Sequence, residues 1–274
     1  MKTRIIVTII ALPLVFSTLF YFPPYILTGV LSVICALMAY ELLLAIIPPK
    51  GNIRLFIYTI VTSSLIPTGA YFNINTLVFP IALLTLMSLV FIEAIVRFNT
   101  DRQYPIVVVL ASFFGGLMIP YLLSTVINLR MMELGRYLVL LPIICAFVTD
   151  GSAYFTGVFF GKRKAFPRVS PNKTVEGCIG GIVVGTLSLV IYGIILIHLT
   201  SIEFVNFWVL PVYGLLGAII CELGDLAFSL IKREFNLKDY GSLLPGHGGA
   251  LDRLDSMVFT APAMYILVTL LPLF

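Results

Sequence analysis

Charge is scarce in this 274-residue chain: Asp, Glu, Lys and Arg make up 11% of it and apolar residues 60%, with a mean hydropathy of +1.09. Such a composition excludes an ordinary soluble domain. There are only four cysteines, Cys35, Cys145, Cys178 and Cys221, each alone in or beside an apolar run. That spacing excludes a paired-thiolate zinc site or a redox dithiol and leaves them as core filler. Internal repeats and low-complexity segments are lacking, and no basic patch is interleaved with aromatics as nucleic-acid binding would require. The net charge of +4 suits anionic lipid headgroups instead.

What the chain does have is apolar runs of the length, roughly 17–25 residues, that crosses a hydrocarbon core as helix. Spans are expected near 5–21, 25–47, 55–72, 76–96, 105–127, 137–160, 177–199, 208–231 and 256–273. The fold class is therefore all-α, a polytopic membrane helical bundle with about nine transmembrane helices. Lys2 and Arg4 before an apolar run resemble a signal peptide, but "FYFPPY" offers no small-residue cleavage site, so the first run is kept as a span. With the N-terminus cytoplasmic, every Lys and Arg of the 17 except Arg130 and Arg136 falls on the cytoplasmic side. Residues 1–130 are expected to form a scaffold of about five spans around a lipid cavity. Residues 131–274 are expected to be catalytic, with cytoplasmic loops at 161–176 and 232–255. Gly177, Gly181 and Gly185, at i+4 spacing, let another helix approach closely, either within the chain or across a homodimer.

Five of the 13 carboxylates fall inside these spans: Glu41, Glu93, Asp150, Glu222 and Asp225. An acid at a helix centre costs roughly 2.5–3.5 kcal/mol unless something compensates. All five lie in the cytoplasmic halves of their helices. Glu41 and Glu93 are near enough to helix ends to reach interfacial water. Glu222 and Asp225 share a helix face with Gly224 between them, and Asp252 and Asp255 repeat the i, i+3 spacing. Mg²⁺ prefers such carboxylate oxygens and lets substrate phosphates fill other positions. The two pairs could converge on one such ion.

Lysines and arginines gather opposite them. "GKRKAFPRVSPNKTVEG" carries Lys162, Arg163, Lys164, Arg168 and Lys173 to the start of a span, where helix amides favour an anion. Lys173 follows Pro171 and Asn172, which fix the chain there, so its replacement by Ala is expected to cost nucleotide use more than folding. Lys232, Arg233 and Lys238 lie in the second loop. His247 in "PGHGG" has glycines on both sides that leave backbone amides open to a ligand.

From Ser229 to Asp255, "SLIKREFNLKDYGSLLPGHGGALDRLD" closely resembles the signature of the phosphatidate cytidylyltransferases, also called CDP-diacylglycerol synthases. "DGSAYFTGVFFGK" from Asp150 and "SPNKTVEG" from Ser170 are similar to further stretches of that family. Ala250 and Val175 depart from its pattern, where a larger aliphatic and an aromatic are usual. The resemblance implies transfer of CMP from CTP to phosphatidic acid, with Mg²⁺ required and a second cation left open. Catalytic work is then expected of Asp225, Asp252, Asp255, Lys232 and His247, with Asp225, Asp252 and Asp255 as the metal ligands. Substrate binding is expected of Lys173, Lys238, Arg233, Arg253, Gly248, Gly249, Asp150 and Ser229. The implied partners are CTP, phosphatidic acid and membrane lipids, and the implied location is the bacterial cytoplasmic membrane, multi-pass, with the site facing the cytoplasm.

Other classes fit less well. A secondary transporter would need a polar path through both membrane halves, and the outer halves offer no carboxylate or lysine. A CDP-alcohol phosphotransferase needs an arginine after its Asp-Gly pair, which "DGSAYFTG" does not supply. A CTP-dependent lipid-alcohol kinase is the closest chemical alternative.

Overall fold

The computed structural model describes residues 18, 20–98, 100, 103–199, 205–241 and 248–274. Among them seven helices are long and apolar enough to cross a membrane. They are α1 (Pro24–Leu44), α2 (Ile53–Tyr71), α3 (Asn75–Arg97), α4 (Ile106–Met131), α5 (Gly135–Phe160), α6 (Val175–His198) and α7 (Val209–Glu234). The chain is a multi-pass membrane protein. A further helix, α8 (Leu251–Leu270), forms where the last span was expected. Asp252, Arg253 and Asp255 lie in its first turns, and it is not among the seven. The span expected near 5–21 lies outside the described residues.

The helices arise where apolar runs leave the backbone no solvent partner, so each amide must be satisfied inside its own helix. Buried hydroxyls follow the same rule: Thr59 donates to the Leu55 carbonyl at 2.9 Å, and Ser63 to the Cys35 carbonyl of the neighbouring helix at 2.9 Å. α4 is not uniform, because "FGGLM" at Phe114–Met118 winds as a π-helix. Gly115 and Gly116 there sit against Leu42 and Leu86, where a Cβ on Gly116 would come within 2.8 Å of Leu86 Cδ2.

The expectation of a purely helical chain needs one correction. The basic segment 161–176 is not a plain loop: β1 (Lys164–Phe166) pairs antiparallel with β2 (Ser170–Thr174). Its polar, proline-containing sequence lacks strand periodicity. The hairpin is instead held from outside, by Glu176 Oε2 accepting the N–H groups of Lys162 and Arg163 at 3.0 and 3.1 Å.

Two compact units divide the chain. One comprises residues 1–136 with 235–254, the other residues 137–234 with 255–274. Within the first, α1 to α3 and the π-turn pack around Leu55, Ile66, Leu86 and Leu117, all essentially inaccessible. Within the second, α5 and α6 approach closely along Gly177, Gly181 and Gly185. A Cβ on Gly177 would lie 2.8 Å from the Ala153 carbonyl oxygen, and one on Gly181 2.9 Å from Ala153 Cβ. The glycine series thus serves packing within the chain. Gly181→Val should overpack this contact and lower stability by about 1–3 kcal/mol, read as a lower Tm in detergent; an unchanged Tm would refute the contact.

Candidate active site

In the second unit, Lys173 is placed by elements that leave it little freedom. It is the fourth residue of β2, just before Thr174, whose Oγ1 accepts the Gly177 N–H at 3.1 Å and caps α6. Across the hairpin, the Val175 N–H donates to the Arg163 carbonyl at 2.9 Å. The Arg233 Nε–H donates to the Val169 carbonyl at 3.1 Å, tying the end of α7 to the hairpin turn. Lys173 therefore reaches inward, its side chain 11% exposed.

Its ammonium pairs with Glu222 and, at 2.7 Å, with Asp225 Oδ2, both on α7. Burial draws the lysine pKa down, but the two carboxylates outweigh it and leave the group above the usual lysine range. Lys173 is a fixed positive charge. From α5, Asp150 Oδ2 accepts the Ser256 hydroxyl at 2.9 Å, and Asp150 Oδ1 lies 3.6 Å from Cys221 Sγ. Asp255 Oδ1 accepts the Ser256 N–H at 2.8 Å, and the charges of Asp225 and Lys232 both act on Asp255. Ser229, Lys232 and Asp255 are buried.

Four carboxylates, Asp150, Glu222, Asp225 and Asp255, thus face two ammonium groups, Lys173 and Lys232, in one buried region. An excess of hard oxygen donors in low dielectric is the donor chemistry that a divalent cation such as Mg²⁺ satisfies. Among the described residues, no three His, Cys, Asp or Glu side chains are gathered closely enough to hold an ion by themselves. A cation here would need oxygen ligands from substrate as well.

The first unit holds the rest of the signature. Asp252 Oδ2 accepts the N–H groups of Tyr240 and Gly249 at 2.8 and 3.0 Å. Gly248 has φ +83°, a left-handed conformation that costs glycine little. Lys238 and Arg253 are exposed. His247 lies outside the described residues.

Four residues carry more than the sequence suggested. Glu222 is a direct partner of Lys173. Ser256 links Asp150 to the start of α8, a link hinted at only by its place at the end of "LDRLDS". Glu41 is 4% exposed and accepts the N–H groups of Ala250 and Leu251 at 3.0 and 2.8 Å, so it does not reach interfacial water. Glu93 is likewise buried: Arg97 donates to it at 2.9 Å through Nε while stacking 4.6 Å over the Tyr104 ring. Neither acid relies on interfacial water, and in each case the partner comes from the protein.

A multi-pass helical protein with a buried carboxylate and lysine cluster has the make-up of a membrane enzyme. The family model described as Cytidylyltransferase family matches residues 2–271, and the chain belongs to that family. It is 31% identical over 278 residues to a phosphatidate cytidylyltransferase of Thermotoga maritima, covering 99% of this chain and 97% of that protein. A Bacillus subtilis protein of the same name is 36% identical over 163 residues, 60% of this chain and 58% of its own length. One from Staphylococcus haemolyticus is 41% identical over 135 residues, 49% and 50% of the two chains.

Proposed function

We propose that this chain is a CTP:phosphatidate cytidylyltransferase of phospholipid biosynthesis, transferring CMP from CTP to phosphatidic acid to give CDP-diacylglycerol and pyrophosphate. One observation carries the proposal for the site: Lys173, Glu222, Asp225, Asp150 and Ser256, from two of the signature-like stretches, α7 and the first turns of α8, join in one buried polar cluster.

In the reaction a phosphate oxygen of phosphatidic acid attacks the α-phosphorus of CTP, a new P–O bond forms, and the bond to the β-phosphate oxygen breaks as pyrophosphate leaves. The attacking oxygen is already ionised near neutral pH, so a strong general base is not obligatory. The difficulty is charge: two anions must meet and a third must depart. Lys173 and Lys232 hold positive charge where phosphates would sit, and Lys238, Arg233 and Arg253 add it at the loop. Asp225, Asp252 and Asp255 would hold Mg²⁺. When bound, the ion neutralises the nucleotide phosphates and the leaving group. His247, Gly248 and Gly249 would meet the nucleotide. In this reading the first unit's helices scaffold a lipid cavity.

Purified protein with labelled CTP and phosphatidic acid should form a lipid-soluble CDP product that is lost without divalent metal. Absence of that product would overturn the activity, and product without added or bound metal would overturn the Mg²⁺ requirement.

The site is proposed to face the cytoplasm. With Cys35, Cys145, Cys178 and Cys221 replaced, a cysteine at the exposed Lys164 should react with an impermeant maleimide only after cells are opened. Labelling of intact cells would reverse the orientation.

A further inference from the structure

We propose that Ser256 is a positioning residue of the buried polar cluster: with the Cys221 thiol as a second donor it holds the Asp150 carboxylate in place, and so leaves the Lys173 ammonium to Glu222 and Asp225. The proposal rests on the reading of this cluster as the CTP site.

Hydroxyls inside the helices of this chain mostly turn back on their own helix. Thr59, Thr62, Ser112, Thr186 and Thr260 each donate to the carbonyl four residues earlier, at 2.7–2.9 Å. Ser256 lies inside α8, past its first turn, where the same bond is open to it. Its hydroxyl instead donates to Asp150 Oδ2 at 2.9 Å, 106 positions away. Its own N–H meanwhile donates to Asp255 Oδ1 at 2.8 Å, so one residue serves two acids. Ser256 is 3% exposed, and bulk water does not compete for either bond.

The other Asp150 oxygen meets α7. Cys221 Sγ lies 3.6 Å from Asp150 Oδ1 and 3.7 Å from the Ala146 carbonyl oxygen, one turn earlier in α5. A thiol has a single, weakly donated proton, so Ser256 supplies the stronger of the two bonds. Cys221 is thus more than the core filler that its isolation in sequence suggested. The need for both donors follows from the neighbours: the charges of Asp225 and Lys173 both act on Asp150. A carboxylate short of donors in low dielectric is drawn to a cation. Lys173 is already divided between Glu222 and Asp225. Two neutral donors satisfy Asp150 without drawing on that charge. A rival reading makes Ser256 a fastener of α8 to α5 and nothing more.

The test compares Ser256→Ala, Ser256→Thr, Cys221→Ala, Asp150→Asn and the Ser256→Ala/Asp150→Asn pair in the purified full-length protein. Tm, kcat and both substrate KM values are read for each. Ser256→Ala should lower kcat/KM for CTP about tenfold or more, the loss expected when a hydrogen bond to a charged group is removed. Ser256→Thr, which keeps the hydroxyl, should restore most of it. Cys221→Ala should lose less than Ser256→Ala, because the thiol is the weaker donor. Asparagine at 150 has no charge to draw on Lys173, so adding Ser256→Ala to Asp150→Asn should change kcat/KM by less than about twofold.

Native kinetics in Ser256→Ala would overturn the proposal. So would the same fold loss with and without the Asp150 charge, or a lower Tm with native turnover, which is the mark of a fastener. If Lys173→Ala and Asp225→Asn left CTP kinetics untouched, the CTP reading of the cluster would fail instead. The Tm values of the single and paired variants would still report on the bond between positions 150 and 256: non-additive losses support it, and additive losses count against it.

Discussion

Asp225→Asn and Asp255→Asn should each lower turnover on the order of a hundredfold or more while the protein still folds. Asparagine keeps the volume but removes the negative charge that a hard cation prefers. Folding should survive for a reason visible in the cluster: four carboxylates share two lysines, so neutralising one acid relieves repulsion even as it removes a ligand. At Asp225, Lys173 would keep Glu222 as its partner. Raised Mg²⁺ should partly restore whichever variant loses least affinity, and Mn²⁺ should restore more because it accepts looser geometry. Asp252→Asn should lose activity too, with an added component from the Tyr240 and Gly249 amides that its Oδ2 gathers. Near-native turnover with unchanged metal dependence in both Asp225→Asn and Asp255→Asn would end the proposal of a metal centre.

The second large effect is expected at Lys173, and here the structure revises what its sequence position implied. A lysine at a loop edge could be replaced at little cost to folding. Lys173 instead lies buried between Glu222 and Asp225, and removing its ammonium leaves two acids facing each other in low dielectric. Lys173→Ala should therefore cost about 3–5 kcal/mol of stability as well as activity. Adding Glu222→Gln and Asp225→Asn should return most of the stability and none of the activity, which separates the two roles. A native Tm for Lys173→Ala alone would refute the buried pairing.

The pH dependence follows from the same contact. Because the folded pKa of Lys173 is raised, its contribution is fully present below the ordinary lysine pKa. It is lost only as pH climbs through the still higher folded value. Stability between neutral and mildly alkaline pH should not track this lysine, and any activity change in that window must come from other groups or from substrate.

Glu222 shows how legibility depended on what kind of signal a residue carries. Its spacing from Asp225 was plain in "CELGD", yet nothing local named Lys173 as its partner. The pairing with Lys173 crosses 49 positions to β2, and helix packing alone sets such a distance. Ser256 was visible as the last letter of a motif, while its bond to Asp150 spans 106 positions. Gly249 reads naturally as part of a glycine-rich stretch with open amides. That its lack of a Cβ, like that of Gly241, also leaves room for Glu41 is invisible without a neighbour that lies about two hundred positions away.

The amino-acid sequence by itself determined that the chain is a membrane protein built of apolar helices, that its acids and lysines fall in a few short stretches, and that those stretches match the cytidylyltransferases. These are local properties: hydropathy over one span, spacing over one turn, and the order of residues in one motif. Tertiary structure alone decided that the basic loop is a hairpin, that residues 235–254 cluster with the helices of residues 1–136, and which carboxylate meets which donor. The physical reason is that a buried carboxylate must be satisfied within a few ångströms, and in a helical bundle the group that satisfies it is chosen by packing across the chain rather than by proximity along it.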